Sequence, residues 1–259
     1  MMAKDTNSLE DTVLARGHYI ARFAVVSDDL EQCQRLRHRC FIEDVGGLER
    51  RGGLETDHYD SRCDHVLIED RAGQTVCSFR TMYLASGADL EASYSAQFYN
   101  LERLAGYTQP MLELGRFCVS PEVHDPDVVR IAWGMLAKIV DARSVGLLFG
   151  CSSFAGTDAD AYRGAFALLA SNHQAPVAWT PAVKSADIVP FDNLGSVIAR
   201  KAAMEQLPSL LKTYLSMGGW VSNHAVVDRQ MNTLHVFTGL EIATIPPSRA
   251  KALRAISNG

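Results

Sequence analysis

Residues 112–119, "LELGRFCV", hold Glu113 and Arg116 inside an otherwise apolar run. Full charges in a stretch that reads as a core strand are costly unless they are paired or used. The chemistry open to them is specific: a carboxylate can accept a proton from an amine, and a guanidinium fork can grip a carboxylate with two parallel bonds. By period-two alternation the two residues face opposite sides of a strand. They act in one place only if a bulge at Gly115 re-phases it. A structural reading stands beside the chemical one, with Glu113 as the ion-pair partner of a buried arginine and Arg116 as a brace for the fold.

Other charges fall into three groups. "LETDHYD" carries Glu55, Asp57, Tyr59 and Asp60, and "SFRTMYL" carries Arg80; on sequence alone Asp57, Asp60 and Arg80 fit a loop-anchoring salt-bridge network. "RLRHRC" supplies Arg35, Arg37 and Arg39, and "ERR" adds Arg50 and Arg51, a cluster that on sequence alone reads as a solvated helix face. Ser222, His224 and Asp228, with Cys151, have the residue types of a nucleophile triad but carry no elbow motif, so the triad receives little weight.

The elements that must position these groups follow from patterning. With 47% hydrophobic and 21% charged residues over 259 positions, the chain can bury a large core. A net charge of -5 argues against a nucleic-acid partner. The six cysteines show no C-x-x-C spacing and read as reduced core thiols of a cytoplasmic protein; no metal site is indicated. The first residues lack an apolar core, which predicts no secretory signal, and no apolar run reaches membrane-spanning length. A strand is expected at 19–26, then a helix ended by Gly46 and Gly47, a hairpin over "HVLIED" and "TVCSFRTMYL", the motif strand, a helix over 128–143, a buried strand "VGLLFGC", a helix near 158–171, a helix at 207–215 started by Pro208, and closing strands "HAVVD" and "LHVFTGLEI". The expectation is an α/β fold: a flexible tail at 1–17, then one domain over 18–259 with a C-terminal extension from about 195.

In this order, "LETDHYD", Arg80 and "LELGRFCV" resemble the signature of acyl-homoserine-lactone synthases, acyltransferases of the Gcn5-related N-acetyltransferase fold. "LELGRFCV", "FGCSSFAGTD", "LPSLLKTYLSMGGWV" and "AVVDRQMNTLHVF" resemble more closely the ornithine lipid synthase family, the L-ornithine N(alpha)-acyltransferases, over about residues 22–242. The resemblance implies a central mixed sheet flanked by helices and an enzyme that moves a 3-hydroxyacyl chain from acyl carrier protein to the alpha-amine of an amino acid. Ornithine is the default acceptor and glutamine the alternative. The product would be a lyso-aminolipid.

The resemblance further implies Glu113 and Arg116 as the catalytic pair, with Glu113 as base or amine orienter. Asp57, Asp60, Arg80, Phe117 and Ser153 become substrate-site residues. The basic cluster Arg35, Arg37, Arg39, Arg50 and Arg51 becomes a rim that would steer an acidic carrier protein. No cofactor of its own is implied, since the donor carries its phosphopantetheine, and contact with the inner membrane surface would be peripheral. A signal synthase and a non-catalytic carrier-binding module remain alternatives. One departure bears on the donor: where coenzyme A users of this fold have a Q/R-x-x-G-x-G/A loop, "EVHDPDVVRIAWG" lacks the glycines and carries three acids before Val128, a poor seat for a pyrophosphate.

Overall fold

Alternating apolar residues produce the strands β1 (Leu14–Arg16), β2 (Tyr19–Phe23), β3 (Asp64–Glu69), β4 (Thr75–Leu84), β5 (Tyr99–Asn100), β6 (Met111–Val119), β7 (Leu147–Ala155), β8 (Ala182–Val183), β9 (Ile188–Pro190), β10 (Trp220–Val221), β11 (His224–Asp228) and β12 (Thr233–Glu241) in a computed structural model that describes residues 11–48, 52–192, 194 and 199–257. Ten of them form one sheet in the order β1-β2-β3-β4-β6-β7-β12-β11-β9, with β10 paired to β12; β5 and β8 pair separately. Neighbours in the large sheet are antiparallel except β6 and β7.

Among the described residues six α-helices cover the sheet: α1 (Ser27–His38), α2 (Pro126–Ala142), α3 (Arg163–Asn172), α4 (Arg200–Gln206), α5 (Ser209–Ser216) and α6 (Pro247–Ser257). Val128, Ile131, Ala132, Met135, Leu136 and Ile139 recur at helical spacing and give α2 a buried stripe. That stripe packs on β1 to β4 and is backed by α6. The helix starts two residues before the expected Val128, because the Asp125 side chain accepts from Asp127 N and Pro126 fills the first turn, where an N–H has no partner. α1 covers the other face of β3, β4 and β6 and runs on into a π-helical turn, Arg39–Glu43. A second core gathers around Phe154, Phe166, Leu207 and Leu211, where α3, α4 and α5 pack on the C-terminal strands.

Two boundaries differ from expectation. Leu14–Arg16, assigned to the tail, pairs antiparallel with β2 and closes that edge of the sheet, Leu14 being buried. Residues 1–10 of that tail lie outside the described residues. The segment after about 195, expected as an extension, supplies β10, β11 and β12 to the main sheet. β12 lies beside β7 along nine residue pairs, Thr233–Ala155 to Glu241–Leu147.

Candidate active site

The motif strand lies between β4 and β7, and its pleat explains its sequence. Leu112 and Leu114 point into the core beneath α2, while Met111 joins an opposite cluster that contains Phe149 and Phe237. Glu113 shares the side of Met111. A bulge then re-phases the strand: Arg80 pairs with Gly115 but Ser78 pairs with Cys118, so two steps of β4 face three of β6. Arg116 absorbs the extra residue with φ +52°, a left-handed conformation that costs a non-glycine residue energy. The bulge brings Arg116 to the side of Glu113. Phe117 turns into the α2 core, its ring stacked 5.8 Å from Phe79.

β6 and β7 pair only at Met111–Leu147, Leu112–Leu148 and Glu113–Phe149, and then separate. Gly150 keeps them close at the point of divergence, since a Cβ there would lie 2.3 Å from Leu114 O. Beyond it opens a cavity of about 620 Å³, walled by both strands, by Pro208 and Leu210 near α5, and by Tyr94. Glu113, Arg116, Phe117 and Ser153 all line it.

Glu113 is buried and forms no ion pair among the described residues. Its Oε2 accepts from Tyr94 N at 2.8 Å, and its Oε1 accepts from Ser95 N at 2.7 Å and Ser95 Oγ at 2.6 Å. Burial pushes its carboxyl above the usual range, and these three donors only partly offset that. The result is a carboxylate more basic than an exposed one, held rigidly at the apex of a cleft.

Arg116 belongs to a closed ring of six charges. Its Nε and Nη2 donate to Glu55 Oε1 at 3.2 and 3.1 Å, and Nη2 also donates to Asp57 Oδ2 at 3.0 Å. Arg80 joins Asp57 to Asp60, with Nη1 2.6 Å from an oxygen of each. Arg37 joins Asp60, at 2.8 Å, back to Glu55, at 2.6 Å. Three cations and three anions alternate, and the ring is neutral. Burial works against ionising Glu55, Asp57 and Asp60, yet the flanking guanidiniums outweigh it and hold all three carboxyls below the usual range. Tyr94 caps the site, its ring 4.7 Å from the Arg116 guanidinium.

The expected site residues therefore divide. Glu113, Arg116, Phe117 and Ser153 meet at the cavity, and Asp57, Asp60 and Arg80 stand behind Arg116. The edge of Arg116 that would grip a substrate carboxylate is already taken by Glu55 and Asp57. The carrier rim is corrected at Arg37, which is 1% exposed and locked in the ring. Arg35 and Arg39 lie at the surface and pair with Glu31 and Glu122; Arg50 and Arg51 lie outside the described residues. No triad forms: Ser222 Oγ donates to His224 O, and the His224 ring meets Asn223. Glu55, the ring's fully buried member, and Tyr94 and Ser95, which hold Glu113, were not singled out as site residues.

The chemistry available is acid–base chemistry beside an apolar slot. Among the described residues no cluster of His, Cys, Asp and Glu is suited to a metal ion. At the start of α2 the Asp125 carboxylate occupies Asp127 N, and Asp127 pairs with Arg16 and Arg130. An anion would meet carboxylates there. No described helix is long and apolar enough to cross a membrane.

Residues 36–134 match the Acetyltransferase (GNAT) domain family. Over 231 residues the chain is 32% identical to an L-ornithine N(alpha)-acyltransferase of Rhodobacter capsulatus, spanning 84% of this chain and 88% of that protein. It is 30% identical to the Brucella abortus protein of the same name, spanning 83% and 82%. Among solved structures, a CoA-dependent acyl-homoserine lactone synthase, BjaI, superposes with a TM-score of 0.50 at 15% identity, covering 93% of this chain and 90% of that one, a likeness of fold.

Proposed function

The chain belongs to the L-ornithine N(alpha)-acyltransferase family and is an acyltransferase, and from that premise we propose that it transfers a 3-hydroxyacyl chain from acyl carrier protein to the alpha-amine of ornithine, giving a lyso-aminolipid. The observation that carries the reading is Glu113, a buried carboxylate of raised pKa with no ion-pair partner among the described residues, at the apex of a cleft between parted parallel strands.

The thioester is already activated, so the reaction needs a neutral amine in place, an exit for its proton and stabilisation of the oxyanion. Glu113 takes the proton directly or through one water. The amine nitrogen bonds to the thioester carbonyl carbon, the carbon–sulfur bond breaks, and the pantetheine thiolate leaves and is protonated. Past Glu113 the β6 backbone has no ladder partner on the β7 side, which leaves main-chain N–H groups at the cleft to meet the oxyanion. The apolar wall from Phe117 to Leu210 suits an acyl chain.

No acyl-enzyme is needed. Hydrogen bonding to Cys40, then burial, pushes the Cys118 thiol up, and burial pushes Cys151 up to about 12, so neither is a ready nucleophile. The Asp125 cap on α2 disfavours the coenzyme A pyrophosphate and supports a carrier-protein donor. Mass spectrometry of lipid extracts from cells expressing the chain tests the proposal: a new lyso-ornithine lipid bearing a 3-hydroxyacyl amide is expected, and its absence in cells that make the soluble protein overturns it.

A further inference from the structure

Under the same face of the sheet as α2 lies a second cavity, of about 220 Å³, that the mechanism leaves unused. Leu148 of β7, Leu240 of β12, Trp133 of α2, Met217 just past α5 and Leu253 of α6 wall it. Its outer edge carries Asp141 and Arg254, joined by two hydrogen bonds of 3.0 Å from Nε and Nη2 to the two carboxylate oxygens.

The two cavities adjoin along three segments. On β7, Gly150 lines the Glu113 cavity and Leu148 lines the second; on β12 their pairing partners, Thr238 and Leu240, divide in the same way. Residues two apart on a strand share a face and lie about 7 Å from each other. Along α5, Leu210 and Tyr214 line the first cavity, and Met217, one helical turn further, lines the second. The floor of β7 and β12 and the roof of α5 thus continue from one cavity into the other.

A pair of rings stands where the cavities meet. Tyr214, on the first cavity, packs edge to face with Trp133, on the second, with ring centroids 5.4 Å apart. Both residues are buried, and buried indole and phenol groups ordinarily find a hydrogen-bond partner. Here Trp133 Nε1 has none, and among the described residues no hydrogen bond holds the Tyr214 hydroxyl. Turning the Tyr214 ring aside therefore breaks packing contacts and no hydrogen bond. A hydrocarbon tail whose thioester sits at Glu113 follows the apolar wall from Phe117 past Leu210 and meets that ring. Beyond it the walls stay apolar until the Asp141–Arg254 pair.

We propose that Tyr214 and Trp133 are specificity-determining residues for the acyl donor: they form a gate that a long acyl tail pushes aside to lie in the second cavity, whose far end at Asp141 and Arg254 limits the length accepted. The proposal rests on the acyltransfer reading above. It deepens that reading from an acyl group to one of measured length.

The test uses the purified full chain, ornithine as acceptor, and two donors, 3-hydroxyoctanoyl and 3-hydroxyhexadecanoyl carrier protein. Ala250→Phe, from α6, and Ala137→Leu, from α2, each fill the second cavity at a half-buried position. Ala250→Phe should lower kcat/KM for the long donor by roughly 50-fold, the loss of about three buried methylenes, and leave the short donor within about threefold. Ala137→Leu should act in the same direction. Tyr214→Leu removes the ring pair and should raise the long-to-short ratio of kcat/KM by roughly fivefold. Equal losses on both donors in the filling variants, or no loss on either, overturn the gate. So does an unchanged ratio in a Tyr214→Leu protein that unfolds cooperatively in urea. Calorimetric titration with octanoate and hexadecanoate separates the two readings. No transfer from either donor, with hexadecanoate bound by the wild type and not by Ala250→Phe, overturns acyltransfer and supports the second cavity as a tail site. No transfer and no such binding overturns both.

Discussion

Glu113 and Arg116 face the same side of β6 and do not pair with each other. The bulge that re-phases the strand joins them at the cavity, yet Glu113 is held by the Tyr94 and Ser95 donors while Arg116 is held by Glu55 and Asp57. One charge is left reactive and the other is neutralised. A direct pair would have lowered the pKa of Glu113 and removed the base.

The ring should be a major source of stability against loss of any single member. Arg37→Leu leaves Glu55 and Asp60 buried beside too few cations and should destabilise the fold by about 3–5 kcal/mol. Arg35→Ala, two positions away on the exposed side of α1, should change it by less than about 1 kcal/mol. Urea unfolding of both variants checks the contrast. Similar small losses would mean that the ring contributes little.

Acid should unfold the protein through the same carboxylates. In the folded state Glu55, Asp57 and Asp60 lie below their ordinary values of 4.5 and 3.8, so the unfolded chain binds more protons as pH falls. Their contribution is full above about pH 5 and is lost progressively as pH drops through the ordinary values toward the lowered ones. Glu113 has the opposite sign: its raised pKa costs stability as pH rises from 4.5 through its folded value. Urea midpoints measured from pH 7 to pH 3 should hold and then fall steeply below about pH 4. A midpoint independent of pH in that range contradicts the ring's charge state.

Much of the sheet was legible because its signals are local. The apolar run of β7, the hairpin of β3 and β4, and the stripe of α2 are each written in consecutive residues, and the motif "LELGRFCV" marked Glu113 and Arg116. What depends on distant segments was not legible. Arg37 sits in the basic run "RLRHRC" and looks solvated, but one turn of α1 carries it inward to carboxylates 18 and 23 positions away. Tyr94 and Ser95 come from short 3-10 turns with no periodicity to announce them. The three-residue strand Leu14–Arg16 is too short to stand out from a polar leader, and only its pairing with β2 defines it.

Donor choice should follow the α2 cap. The purified enzyme should turn over 3-hydroxyacyl carrier protein and respond poorly to the matching coenzyme A thioester, because Asp125 and Asp127 stand where a pyrophosphate would need free amides. Comparable kcat/KM with coenzyme A would remove this argument.

Thiol chemistry should prove dispensable. Cys151→Ala and Cys118→Ala should each retain turnover, with losses matched by lowered stability from packing, since both thiols are pushed up rather than activated. An acyl group trapped on either cysteine, forming and decaying at the catalytic rate, would replace direct attack with a two-step route.

The decisive variant is Glu113→Gln. The amide keeps the shape and one acceptor oxygen but cannot take a proton from the amine, and turnover should fall roughly 10²-fold or more. Activity in the wild type needs Glu113 deprotonated, so kcat/KM should rise with pH through an apparent pKa above the ordinary glutamate value of 4.5. In Glu113→Gln that limb should vanish, and part of the loss should return at high pH, where free amine is abundant. Arg116→Lys offers the comparison. With its fork already committed to Glu55 and Asp57, its chief effect should be a lowered melting temperature, with the acceptor KM changed little. If Glu113→Gln turns over near the wild-type rate but melts much earlier, the buried carboxylate serves only to hold Tyr94 and Ser95 in place, and the base lies elsewhere on the cavity wall.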